Sequence, residues 1–107
     1  MKNENVKSIN LGLPTSFHLW LEPKAKLNER AKRAELKLIA TESLQLNPDL
    51  SGLDESLYQG HTQNVKWISL VLPLSAHLLL EKRAQESNRT KAEELKLLCL
   101  WMQKKEN

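Results

Sequence analysis

Lys24, Lys26, Arg30, Lys32 and Arg33 place five cations within ten residues of a 107-residue chain. Such a cluster can neutralise a polyanion, because each Lys or Arg that meets a phosphate releases condensed counterions. A solvated helix face has the same composition, so its place in the fold must decide between the two. Other chemistry has less to work with. His18 and His77 sit in matching surroundings, "SFHLWLE" and "SAHLLLE", but neither has a second histidine or a cysteine one turn away, and Cys99 is the sole cysteine. No metal site, cofactor or disulfide is expected. Gly-rich phosphate loops and Ser/His/Asp or paired-carboxylate arrangements are missing, so no catalytic residue, enzymatic activity or small-molecule substrate is expected.

The elements that must position these cations are written twice. Sliding the chain by 59 positions aligns 6–44 with 65–103, with 18 of 39 positions identical, among them Pro14 and Pro73, Arg30 and Arg89, and Glu35-Leu36-Lys37-Leu38 with Glu94-Leu95-Lys96-Leu97. Two copies are too few for a solenoid, so the pair reads as two halves completing each other.

Each copy changes period at its proline. Ile9, Leu11 and Leu13 alternate with Ser8, Asn10 and Gly12, as Ile68, Leu70 and Leu72 alternate with Trp67, Ser69 and Val71, the period of a strand with one buried face. Beyond Pro14 and Pro73 the apolar residues take helical spacing: Phe17, Trp20, Leu21 and Ala25, then Ala76, Leu79, Leu80 and Ala84. Proline ends a strand and is tolerated in a helix's first turn, with Thr15, Ser16 and Ser75 as nearby hydroxyl caps.

A second helix follows in each copy. Asn88 suits the left-handed residue that ends a helix, and Thr90 with Glu93 spells a capping box. Leu95, Leu98, Cys99 and Met102 form its inward stripe, matched by Leu36, Ile39, Ala40 and Ser43. Copy one has Glu29 and Ala31 in place of Asn88 and Thr90, and Pro23 inside its first helix, so it is expected to be less regular.

The predicted organisation is a first half over 1–46, a linker over 47–64 with a short helical turn through Leu50, Leu53 and Leu57, and a second half over 65–107, together forming one domain. A strand with two helices cannot close a core alone. Pairing the two strands antiparallel lets four helices enclose the ribbon's apolar face, giving a mainly α fold with a two-stranded antiparallel ribbon, a dimer fused into one chain.

Strand, proline, helix, a turn through Asn88-Arg89-Thr90 and a helix opening Lys91-Ala92-Glu93-Glu94-Leu95 resembles the ribbon-helix-helix (Arc and MetJ) class of DNA-binding proteins. The tandem arrangement is similar to that of relaxosome accessory proteins of conjugative plasmids. The resemblance implies a ribbon in the major groove of double-stranded DNA, reading bases with Ser8, Asn10, Gly12, Trp67, Ser69 and Val71. Asn10 would pair with an adenine, and Val71 or Trp67 would touch a thymine methyl group. No Arg or Lys is among the six, so a strong guanine contact is not implied. It also implies phosphate contacts at the second helices, from Arg30, Ala31, Lys32 and Arg33 and from Arg89, Thr90, Lys91 and Ala92. The implied role is transcription regulation or plasmid transfer, with a ribbon-helix-helix scaffold for protein interaction as the alternative.

The charge is uneven. Of a net +3, the 47–64 stretch carries −3, leaving about +6 on the two copies. Leu97, Leu100 and Trp101 add apolar surface to the last helix, to be covered by the linker or used in self-association or partner docking. The longest apolar run, Ile68 to Leu80, is broken by Ser, Pro and His. No membrane association is expected, and a cytoplasmic, reducing compartment is.

Overall fold

The computed structural model describes residues 6–53 and 65–106. They form strand β1 (Val6–Pro14), helices α1 (Thr15–Leu27) and α2 (Lys32–Leu46), a 3-10 turn (Leu50–Gly52), strand β2 (Val65–Pro73) and helices α3 (Leu74–Ser87) and α4 (Lys91–Glu106). The fold is mainly helical, with one two-stranded antiparallel sheet among the described residues. Of the expected linker over 47–64, residues 54–64, Leu57 among them, lie outside the described residues. None of these helices is long and apolar enough to cross a membrane.

The strands pair over their full lengths, from Val6 opposite Pro73 to Pro14 opposite Val65, with Asn10 opposite Ser69 in the middle. Alternation then separates two faces. Leu11, Leu13, Leu70 and Leu72 are fully buried, and Ile9 and Ile68 are half-buried against the same core. Phe17 and Leu21 of α1, Leu36 and Leu44 of α2, Leu80 of α3, and Leu95 and Leu98 of α4 close over them.

Each proline caps the helix that follows, at φ −63° and ψ near 155°, while its ring ends the ladder. The expected hydroxyl caps are displaced: Thr15 opens α1, and Ser16 and Ser75 are second residues of their helices, because the chain turns helical directly after the ring. The inward stripes also rotate. Phe17, His18, Leu21 and Ala25 are the buried residues of α1, and Ala76, His77, Leu80 and Ala84 those of α3. Histidine thus takes the place expected of Trp20 and Leu79. Trp20 is half-buried, its ring tilted at 53° to that of Phe17 with centroids 5.2 Å apart and covered at 5.3 Å by the Lys24 ammonium, whereas Leu79 is exposed.

The corner between helices is built the same way twice. Glu29 and Asn88 take the left-handed conformation, and the next amides, Arg30 and Arg89, donate back to the carbonyls of Ala25 and Ala84 at 2.8 and 2.9 Å. Copy two then has its capping box: Glu93 N–H donates to Thr90 Oγ1 at 3.1 Å and Thr90 N–H to the Glu93 carboxylate at 3.0 Å. Ala31 caps α2 with no side-chain bond. The helix α1 runs through Pro23, at the cost of the bond to the Leu19 carbonyl, and is one residue shorter than α3. The lesser regularity of copy one is therefore visible at the positions expected.

The apolar last helix is covered from within. Leu97 and Leu100 are buried and Trp101 half-buried. The 3-10 turn, capped by Asp49, packs on α4 and brings Leu50 and Leu53 into the core. Leu38, the counterpart of Leu97 in α2, is left 38% exposed. Leu97 and Leu100 thus have too little free surface to carry the docking role considered for them.

Candidate nucleic-acid interface

Two sets of groups, contributed by different elements, are the candidates for such an interface. The first is the ribbon's outer face. Ser8, Asn10 and Ser69 are exposed there, as are Trp67 and Val71, at 70% and 44%. Pairing places Ser8 beside Val71, Asn10 beside Ser69, and Gly12 beside Trp67. A ribbon of two strands fits the width of a DNA major groove, and this face offers it a carboxamide and a hydroxyl at the centre, a second hydroxyl beside Val71 on one side and the Trp67 indole on the other.

Gly12 differs from the other five. It points outward by register yet is buried, because the indole of Trp67 lies over it. A β-carbon at position 12 would stand 3.0 Å from Cη2 and Cζ2 and 3.1 Å from Cε2 of that ring. Its φ is not positive, so the glycine supplies space rather than an unusual backbone conformation. It therefore presents no surface of its own to a ligand.

The second set is the pair of helix N-termini. Lys32, Arg33 and Ala34 open α2, and Lys91, Ala92 and Glu93 open α4, where the first amides have no acceptor within the helix. Such an end attracts anions. Arg33 is exposed, and Lys32 is half-buried with its ammonium 3.5 Å from Glu22. Lys91 is half-buried with its ammonium 3.0 Å from His77 Nε2. Ala31 and Thr90 are exposed, and Ala92 half-buried.

Arg30 and Arg89, grouped with the phosphate contacts by their position, are held by the protein itself. Arg30 meets Glu35, and Arg89 meets Glu94, each at 2.8 Å. Both carboxylates are buried, at 3% and 1% exposure. Glu35 also accepts from Asn28, and Glu94 from Ser87 and from Arg83 Nε at 2.9 Å. The other nitrogens of Arg83 donate to Asn47 Oδ1 and the Pro48 carbonyl, tying the end of α2 to α3. Lys24, the counterpart of Arg83, reaches the end of α4 at Glu106, 2.8 Å away. Composition gave no sign of these buried carboxylates. The available signal was an arginine five residues before a glutamate, written in both copies.

The histidines lie beneath this surface. His18 Nε2 is 3.2 Å from the Lys66 carbonyl, so Nε2 carries the proton and donates, while Nδ1 is buried without a hydrogen-bond partner. Burial holds the His18 pKa below its usual range, and the charges of Lys32 and Lys66 push the same way. The equivalent His77 is buried beside Lys91. Cys99 is fully buried, and burial pushes its thiol up to about 12, which removes it as a nucleophile at neutral pH.

No family model, curated protein or solved structure matches the chain.

Proposed function

We propose that the chain is a sequence-specific double-stranded DNA-binding protein of ribbon-helix-helix form, in which the two repeats make a pseudo-dimer and lay their ribbon in the major groove. The observation that carries this reading is the register. Asn10 and Ser69 are equivalent positions of the two copies and face each other at the middle of the ladder, the register that a twofold relation between the copies would produce. A two-stranded ribbon with exposed outward side chains, together with two helix N-termini that begin with lysine, would suit a double helix with phosphates on either side of its groove. The two halves of the face differ, Gly12 and Trp67 against Ser8 and Val71, so the site bound is asymmetric. Transcription regulation or an accessory role in plasmid transfer fits such a protein.

The exposed Trp67 and Val71, on a face with no charged residue among its six outward positions, favour a second reading: the same scaffold used for protein interaction. A gel shift against a random duplex pool at low and moderate salt, with a size measurement of the protein alone, separates them. Retention of selected sequences supports DNA binding; an oligomer that retains no duplex supports the scaffold.

A further inference from the structure

The seating of Trp67 on Gly12 determines which part of the indole is left to meet a partner. A β-carbon at position 12 would be almost equidistant from three consecutive atoms of the six-membered ring, at 3.0, 3.0 and 3.1 Å. A point equidistant from three atoms of a hexagon lies on the axis through its centre, so the ring lies flat with one face against the glycine. With 70% of the residue still exposed, its opposite face is the one turned to solvent. The ring is seated on a neighbour that has no side chain of its own, so this half of the ribbon presents a flat, mostly apolar plate whose one hydrogen-bonding group is the indole Nε1–H at its edge. The other half, Ser8 with Val71, presents a hydroxyl and a smaller aliphatic group.

In the major groove the apolar feature of a base pair is the C5-methyl group of a pyrimidine. We propose, building on the DNA-binding reading above, that Trp67 on its Gly12 seat is the specificity determinant of one half-site and recognises a C5-methylated pyrimidine there, thymine or 5-methylcytosine. The Gly12–Trp67 pair is two residues from the Asn10–Ser69 pair, about 7 Å at the rise of an antiparallel strand, or about two base-pair steps. The methyl group recognised is therefore about two steps from the centre of the site, on one side, and it sets the direction in which the chain lies on DNA.

The test replaces single thymines by deoxyuridine, which removes only the methyl group, in a duplex recovered from the random pool. Wild-type protein loses about fourfold in affinity, the worth of one methyl group taken out of water, at a thymine about two steps from the centre on one side. Trp67→Ala is indifferent to that replacement. Gly12→Ala, which displaces the ring without removing it, narrows the discrimination, with circular dichroism showing that the fold is kept. Cytosine and 5-methylcytosine at the same position identify the source of the methyl group: recovery with 5-methylcytosine alone shows that the methyl is read, whichever base carries it. Selected duplexes that bind tightly but respond to deoxyuridine nowhere, or equally in Trp67→Ala, overturn the proposal and leave the DNA-binding reading standing. Retention of no duplex overturns both.

Discussion

The guanidinium of Arg89 stands 2.8 Å from the buried carboxylate of Glu94, and Arg30 stands at the same distance from Glu35. Each arginine also gives its backbone N–H to the carbonyl that closes the preceding helix. The corner between the helices is thus fastened twice by one residue. A buried carboxylate stripped of a charged partner is costly, although Arg83 and Ser87 still hold Glu94. Arg89→Ala is expected to lower stability by about 1–3 kcal/mol in urea denaturation. Under the proposed DNA-binding reading, the salt dependence of binding should change little, since the guanidinium is engaged inward. A large drop in salt slope with unchanged stability would reverse that assignment.

Lys32 and Lys91 open their helices at equivalent positions of the two copies, and under the proposed DNA-binding reading they are the cations that would meet phosphate. Removing one phosphate contact reduces the slope of log K against log salt by about one and weakens binding to all sequences alike. Lys32→Ala and Lys91→Ala are each expected to do this, and the double variant to do both. Asn10→Ala should instead alter which sequences are selected, leaving the salt slope in place. Unchanged affinity in the double lysine variant would remove the helix N-termini from the interface.

Copy one lacks two features that copy two has, and both can be added. Ala31→Thr with Ala34→Glu writes at α2 the capping box that Thr90 and Glu93 make at α4. A cap of this kind is worth about 1 kcal/mol. Glu29 holds a left-handed conformation, φ 54°, that Asn88 holds at its counterpart, and asparagine tolerates it better. Glu29→Asn should raise the thermal midpoint. Thr90→Ala should cost about what the new cap contributes. Differential scanning calorimetry on the three variants and the parent checks all of these, and a capping variant no more stable than the parent would place the weakness of copy one elsewhere.

The parts of this fold that the sequence made legible are those set by local physics. Alternation before Pro14 and Pro73 fixed the strands and their inward leucines, and the Thr90–Glu93 spacing fixed a helix start. The stripe Leu36, Ile39, Ala40 and Ser43 is buried as its spacing requires. What escaped depends on register and on third elements. Gly12 has outward parity, but that Trp67 covers it follows only once the residue across the ladder is known. Glu35 and Glu94, charged and in a helix's first turns, resemble exposed residues that complement the helix dipole. Their burial comes from the corner folding back over them. The histidine stripe was hidden because Trp20 and Leu79 are the more apolar residues, and only the helix's rotation about its axis chose between them.

That rotation gives stability a pH dependence. Folded His18 is neutral, donating from Nε2 to the Lys66 carbonyl, and burial opposes its protonation. In the unfolded chain a histidine takes up its proton as the pH falls through about 6.5. Between that value and the lowered folded pKa, the unfolded state binds more protons than the folded state. Stability therefore rises with pH across this window: it is fully present above the unfolded pKa, falls as the solution is acidified, and levels off for this group once folded His18 itself protonates. Urea midpoints measured from pH 8 down to pH 5 should decline accordingly. Gln keeps an N–H donor near the place of Nε2 but does not titrate. His18→Gln should thus decline less steeply, and parallel curves for the two proteins would show that His18 carries no part of the acid sensitivity.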